Sequence, residues 1–448
     1  MALETTPLRI ERRESVDGLP QPDAYAAAFD PDGDPDDPTQ WPEAYKWAMV
    51  AVLALMPFTV TFTCISIVPV ASRIVQDLDG RDHDYDHLTS SKSAGVLLVT
   101  IWELGEAAGP LLIAPLSEAL GRAPLLHGTN ALFVLATLLA ALPRTTSSLV
   151  AARTLTGATV SSNVLYPPIV GDVFPPEQRG RALSVFVFAT LLGGTLGPAF
   201  GGVAAETTTT MFGGGDGWRV KLWASLALAT LCEVLALAFF RETKMERPAP
   251  QFRISSVMWP FAVLFGLGVL ASLAVFGSVI YSYFTSCIGS LIGIAICSLS
   301  LDRIYERLKA KNAGVGLPEY RLPMAVVGAL TLPPGIALYG WCAEYALPLW
   351  LLYVSVVWIR MALMLAFLPL MAYVVDAYSV YSASAMTGVI VTWCLAGAFL
   401  PLATVLVIER LGYGAGFATL SGLCLVLGFI PAVIMRCGSR RRQLAAYA

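Results

Sequence analysis

Runs of about 20 apolar residues, separated by short polar stretches, recur along almost the whole chain beyond residue 46. A bilayer core ~30 Å thick is crossed by roughly 20 mostly apolar helical residues, and a helix satisfies its own backbone hydrogen bonds where water is absent. Twelve runs therefore predict twelve membrane-spanning helices. In the first half they cover Trp47 to Val70, Ala94 to Pro115, Leu125 to Leu142, Leu149 to Val170, Ala182 to Ala204 and Arg219 to Phe240. In the second they cover Met258 to Ile280, Phe284 to Leu301, Leu322 to Cys342, Leu347 to Val375, Met386 to Ile408 and Gly414 to Met435. Between Met258 and Leu301 two helices must share the space with a turn, SYFTS.

Charge decides the count and the orientation. With an even number of spans and both termini cytosolic, 20 of the 29 Lys and Arg fall on the inner side, in RETKMERPAPQFR, DRIYERLKAKNAGVGLPEYR and RCGSRRR among other segments. Merging spans seven and eight would put the last two outside, against the positive-inside bias. The expected fold class is thus an all-α membrane protein of twelve helices in two six-helix, pseudo-symmetric bundles. Its expected parts are a disordered cytosolic tail (1–46), a first bundle (47–242), a cytosolic linker (243–257), a second bundle (258–435) and a basic cytosolic tail (436–448).

Composition agrees: 56% of residues are hydrophobic, 14% are charged and mean hydropathy is +0.66. A net charge of −3 offers no field to hold nucleic acid. The polar N-terminal residues predict no cleaved secretory signal. Cys64, Cys232, Cys297, Cys394 and Cys424 sit inside apolar runs at no repeated spacing and read as small core residues. With only His83, His87 and His127, neither a metal site nor a cofactor is expected.

The halves echo each other. Asp172, in GDVF, closes span four, and Asp376, in VDAY, closes span ten 204 residues later; Pro198 in span five and Pro401 in span eleven are 203 apart. Parallel repeats of this kind suit a transporter that rocks one bundle against the other around a midplane site.

Two stretches carry the most specific signal. GPLLIAPLSEALGR ends span two and contains Gly109, Pro110, Ser117, Glu118, Gly121 and Arg122. Its Glu118 and Arg122 lie at the membrane surface, where they can pair with each other or with helix ends across the loop, as a latch. GGTLGPAFGG, in span five, contains Gly193, Gly197, Pro198, Gly201 and Gly202; glycines four apart let a neighbouring backbone approach, and proline permits a bend. These stretches resemble the loop motif and the antiporter motif of the major facilitator superfamily, and PLSEALGR is similar to the fungal branch of its twelve-span drug:proton antiporter family. Further likenesses are DPDDPTQWPEAYKW, Arg153 and Gly157, GDVFPPEQRGRA, GWR at 217–219, Glu242-Thr243, PEYRLP, YGW and VVDAY through Ala385. The resemblance implies a proton-driven exporter of drugs, toxins or secondary metabolites, with Arg153 at the family's span-four arginine. Ala123 departs from the pattern, which has a second basic residue there, and the span seven to eight connection is shortened.

Ionisable groups at bilayer depth cost at least ~2.5 kcal/mol each, so they persist where paired, hydrated or useful. Glu103, Glu106, Arg153 and Glu233 are the proton-coupling candidates: a carboxyl group takes or releases its proton as its surroundings change, and Arg153 supplies a fixed charge. A static ion pair is the competing reading for Arg153. Arg360 reads first as such a pair and also as a substrate contact. From the resemblance, spans one, four, seven and ten line the cavity, with Phe58, Phe62, Asn163, Tyr166, Tyr281, Trp358, Arg360 and Phe367 as candidate contacts.

The expected function is proton-coupled efflux of a small lipophilic compound by a monomer, at the plasma membrane or alternatively the vacuolar membrane, with protons and the lipid bilayer as its other partners. Import of a nutrient such as a polyamine or sugar by proton symport is the alternative. A membrane-embedded enzyme is disfavoured by the absence of Gly-x-Ser-x-Gly, His-Glu-x-x-His and GxxxxGK[ST].

Overall fold

The structure, a computed structural model, describes residues 38–67, 70–79, 87–212, 217–243, 279–378 and 382–436. Helices fill nearly all of them, and no strand occurs among the described residues. They are α1 (Glu43–Ile65), α2 (Ala71–Asp79), α3 (His87–Leu120), α4 (Arg122–Ala141), α5 (Thr146–Ala158), α6 (Ser162–Val173), α7 (Pro176–Phe212), α8 (Gly217–Phe239), α9 (Val279–Lys311), α10 (Leu322–Glu344), α11 (Leu349–Tyr378) and α12 (Ser382–Gly428). Eight helices among the described residues are long and apolar enough to cross a membrane.

Eleven of the twelve expected spans coincide with these helices. Span seven, apart from its last two residues, lies outside the described residues, as do most of the two tails and the linker. Spans eleven and twelve are the arms of α12, which turns at Gly412, where φ is +80°. A left-handed residue costs glycine little, and Glu344 caps the new arm by accepting from the Tyr413 and Gly414 amides at 2.9 and 3.1 Å.

Three expectations need correcting. The SYFTS turn does not form, because α9 runs unbroken from Val279 and takes those residues into its first turns. Span one does not reach Val70: α1 ends at Ile65, and the separate short helix α2 follows it. Ile74 and Val75 of α2 are buried against Leu98, Leu149, Trp218 and Leu222. Span four, finally, is two helices, α5 and α6, broken at residues 159–161. Hydroxyls compete with the helix there: Thr159 Oγ1 donates to the Thr156 carbonyl at 2.9 Å and Thr129 Oγ1 to Ser161 Oγ at 2.8 Å. Pro167 and Pro168 further deprive the Asn163 and Val164 carbonyls of their helical donors.

Close packing rests on glycine. A β-carbon on Gly105 or Gly109 of α3 would overlap the carbonyls of Thr154 and Ala158, and one on Gly157 would overlap that of Trp102, so α3 and α5 touch backbone to backbone. Gly193 and Gly197 of α7 face the Phe58 and Phe62 carbonyls of α1 in the same way. The halves meet where α12 packs on α3 and α6, and α9 on α7.

Candidate functional site

Glu103 and Glu106, one turn apart on α3, point into different surroundings. Glu106 is held inside the first bundle: Asn163 Nδ2 donates to Oε1 at 2.6 Å and Trp102 Nε1 to Oε2 at 3.2 Å. Asn163 stands just beyond the break in span four, so the discontinuity places an amide donor at mid-depth. Glu103 reaches the other bundle, its Oε2 3.6 Å from where a β-carbon on Gly397 would stand. One oxygen from each glutamate and Cys394 Sγ lie within 4.8 Å of one another. The seven described cysteines are all free, and Cys394 is buried as expected. Its place beside two acids had no signal in its own helix, because the acids come from α3.

Arg153, 1% exposed, is close by but forms no ion pair among the described residues. Its Nε donates to the Leu98 carbonyl at 2.9 Å and a terminal nitrogen to the Cys64 carbonyl at 3.2 Å, with the Trp102 ring 4.9 Å away. The alternative of a static ion pair is therefore replaced by a guanidinium bridging α1 and α3 through main-chain oxygens. The Arg153 guanidinium lies near Glu103.

Other candidates lie elsewhere. Among the described residues Glu233 has no hydrogen bond to α3; its Oε1 is 2.9 Å from His127 Nδ1. Six residues separate it from the end of α8, about 9 Å at 1.5 Å per residue, so it is not at mid-depth. Tyr166, 1% exposed and packed on Phe186 at 5.4 Å, is buried inside the first bundle. Phe62 is also buried, stacked with Phe58 at 5.9 Å. Trp358 donates to the Thr331 carbonyl at 2.8 Å and so turns to α10, which packs on α11 and α12. Arg360 faces Gly289 of α9. Phe58, Asn163 and Phe367 stay partly exposed, Phe367 with Trp393 at 5.5 Å. Tyr281 opens α9, but its side chain is outside the described set.

At one end of the bundles, the rim that carries the connections after spans two, four, eight and ten, charged groups seal the halves together. Glu118 does not pair with Arg122; its Oε1 accepts from the Ser384 amide at 3.0 Å, capping the first turn of α12. Asp302 does the reciprocal thing, accepting from the Gly180 and Arg181 amides in the opening turns of α7, both at 3.1 Å. Arg122 pairs with Asp172 at 3.4 Å and donates to Ser117 Oγ at 3.1 Å, while Glu242 accepts from the Arg122 and Ala123 amides at 2.9 Å each. Gly121, at φ +103°, makes the turn that presents those amides.

Arg321, fully buried, is the hub of the second half. It binds Asp302 at 2.7 Å and Asp376 at 2.9 Å, lies 4.6 Å from the Tyr305 ring centre, and donates to the Pro176 carbonyl of the first bundle. Asp376 also takes Arg179 at 2.6 Å, and Lys309 meets Glu177 at 2.7 Å. Arg122 with Asp172 and Arg321 with Asp376 are thus the same pair in each repeat, offset by 199 (321 − 122) and 204 (376 − 172). The aspartate offset alone would carry Arg122 to Val326, so the five-residue difference between the repeats hides Arg321 from a simple alignment. Removing one clasp tests the reciprocity: Glu118→Ala is expected to cost about 0.5–2 kcal/mol of local stability, as for a lost helix cap. Hydrogen exchange should then rise in the first turn of α12 while the opening of α7 stays protected.

A family model described as Major Facilitator Superfamily matches residues 48–401. The efflux pump radE of Floropilus chiversii is 26% identical over 470 residues, covering 93% of this chain and 84% of that protein. The efflux pump vrtL of Penicillium aethiopicum is 27% identical over 503 residues, covering 100% and 96%. Among solved structures, the proton:xylose symporter XylE, bound to 6-bromo-6-deoxy-D-glucose, is similar with a TM-score of 0.70 at 13% identity, covering 88% of this chain and 96% of that one. Its helical architecture, its duplicated rim pairs and these matches agree: the chain belongs to the Major Facilitator Superfamily.

Proposed function

We propose that this integral membrane transporter exports a small lipophilic compound in exchange for protons, by alternating exposure of a site between its two bundles. The observation that carries the reading is the acid pair. Glu103 and Glu106 lie where α3 meets α12, one touching each side of the contact, with no ion pair among the described residues to fix their charge. Acids at bilayer depth without such a partner are the groups expected to take up and release ions. The sealed rim supports alternating access, since the same contacts must part for the site to open there. Positive-inside bias makes that rim cytosolic, so the state described faces outward. Residues 47–242 and 258–435 are the two bodies that rock. Efflux, rather than uptake, is favoured by the relatives radE and vrtL, which are named efflux pumps.

Proteoliposomes loaded with rhodamine 6G test this. An imposed pH gradient should drive the dye against the proton flow, and Glu103→Gln and Glu106→Gln should each lower that flux by about tenfold, within the usual range of coupling free energies. Dye–dye exchange at equal pH should persist in both variants. Dye moving with the protons would instead support symport.

A further inference from the structure

Among the described residues, seven buried polar atoms of the first bundle have no hydrogen-bond partner, and four of them concern the region between Glu106 and His127: Asn130 Oδ1 on α4, Ser162 Oγ and the Tyr166 hydroxyl on α6, and Glu233 Oε2 on α8. Asn130 and Ser162 are 2% exposed and Tyr166 is 1% exposed. A buried polar group left unpaired costs about 1–3 kcal/mol, and native interiors meet that need with ordered water where several such groups converge.

Here they form a line. It begins at Glu106, whose Oε1 is bonded to Asn163. Tyr166 follows Asn163 by three residues and Ser162 by four, so it is the neighbour of both one turn on along α6. The Tyr166 hydroxyl stands beside Asn130 without a well-formed bond to it. Asn130 is one turn from His127 on α4, and His127 meets Glu233 at 2.9 Å. The His127 side chain is 23% exposed, which is where the line reaches the surface near the rim. Each step along a helix is about 4.5–6 Å, too long for direct proton transfer and the right length for one or two waters. Thr129 and Ser161, bonded to each other at 2.8 Å, run alongside.

We propose that a chain of ordered waters inside the first bundle joins Glu106 to the His127–Glu233 pair, and that protons leave the acid pair along it, apart from the substrate cavity. This rests on the proton-coupled reading above. A proton arriving at Glu103 passes to Glu106, moves by hops in which each donor is reprotonated from behind, and is released at His127 to water, so no group ends changed. The charged or titratable groups along the way are Glu103 and Glu106 on α3, Arg153 on α5, Tyr166 on α6, Cys232 and Glu233 on α8, and His127 on α4. Glu103 faces the opposite bundle and Glu106 the interior, so the transfer between them is the step that motion of α12 past α3 can gate.

Tyr166→Phe, which keeps the ring, and Asn130→Leu interrupt the line. Each should lower pH-driven rhodamine 6G flux by about tenfold while leaving dye–dye exchange within roughly twofold of the parent. Unchanged pH-driven flux, or both assays falling together, overturns the water chain. Parent protein that exchanges dye but ignores a pH gradient overturns the proton-coupled reading itself. A high-resolution density map gives a readout that needs no substrate: water is expected against Asn130, Ser162, Tyr166 and Glu233, and a dry gap there sinks the proposal whatever the flux.

Discussion

Arg321→Ala should destabilise the folded chain by roughly 3–5 kcal/mol, the cost of stripping one partner from a buried charge network. Asp302, with its side chain 9% exposed, would be left with only the Gly180 and Arg181 amides, Asp376 would keep Arg179 alone, and the Pro176 carbonyl would lose its donor. Thermal unfolding in detergent, followed by the fraction of monodisperse protein, reads the effect. Adding Asp302→Asn to the same chain should recover part of the loss, because it neutralises the carboxylate whose cation was removed, whereas Asp376 keeps Arg179. Arg321→Lys is expected to fall between, since an ammonium cannot hold two carboxylates with a planar fork. Full stability in Arg321→Ala would mean that the network is solvated in the membrane.

Gly109→Val is the second large effect. The β-carbon at this position already overlaps the Ala158 carbonyl, and backbone, unlike a flexible side chain, cannot swing aside. Overpacking typically costs about 1–3 kcal/mol, and here α3 and α5 must separate along the contact that also includes Gly105 and Gly157. Because α3 carries both acids and α5 carries Arg153, separation should also abolish pH-driven flux. Gly128→Ala is the matched control: nothing lies within 4 Å of its β-carbon position, so the change should be neutral or stabilising by up to about 1 kcal/mol. Equal unfolding temperatures for Gly109→Val and the parent would show that the helices do not touch as described.

Much of the fold is legible in the chain because crossing a bilayer demands a length and a polarity that few other elements share. The apolar runs find eleven helices on that basis; the spacing of Glu103 and Glu106 suggests a shared face, whereas Glu106 turns to Asn163 and Glu103 toward Gly397. What stays hidden depends on partners far away in sequence. Span four reads as one apolar run because hydropathy is blind to hydroxyls competing for backbone bonds at residues 159–161. The helix α2 is too short for a membrane pattern, and its burial comes from α3 and α5. Asp302 and Arg321 look like ordinary loop charges until the halves are superposed. Glu233 gains His127 from 106 residues away, and Cys394 gains its acids from the other bundle. Aromatic residues are the least legible, since Trp358 and Phe58 differ only in which neighbour each meets.

Glu118 and Asp302 each hold an end of a helix that belongs to the opposite bundle. Charges parted at a surface are rehydrated at once, so such contacts weigh little on how often the door stands ajar. They matter more when it shuts, because a carboxylate finds those amides only if both leaves return in register. Faithful closure, rather than firm locking, is what this reciprocity provides, and under the proposed exchange for protons a carrier that reseals cleanly spends few ions in leakage.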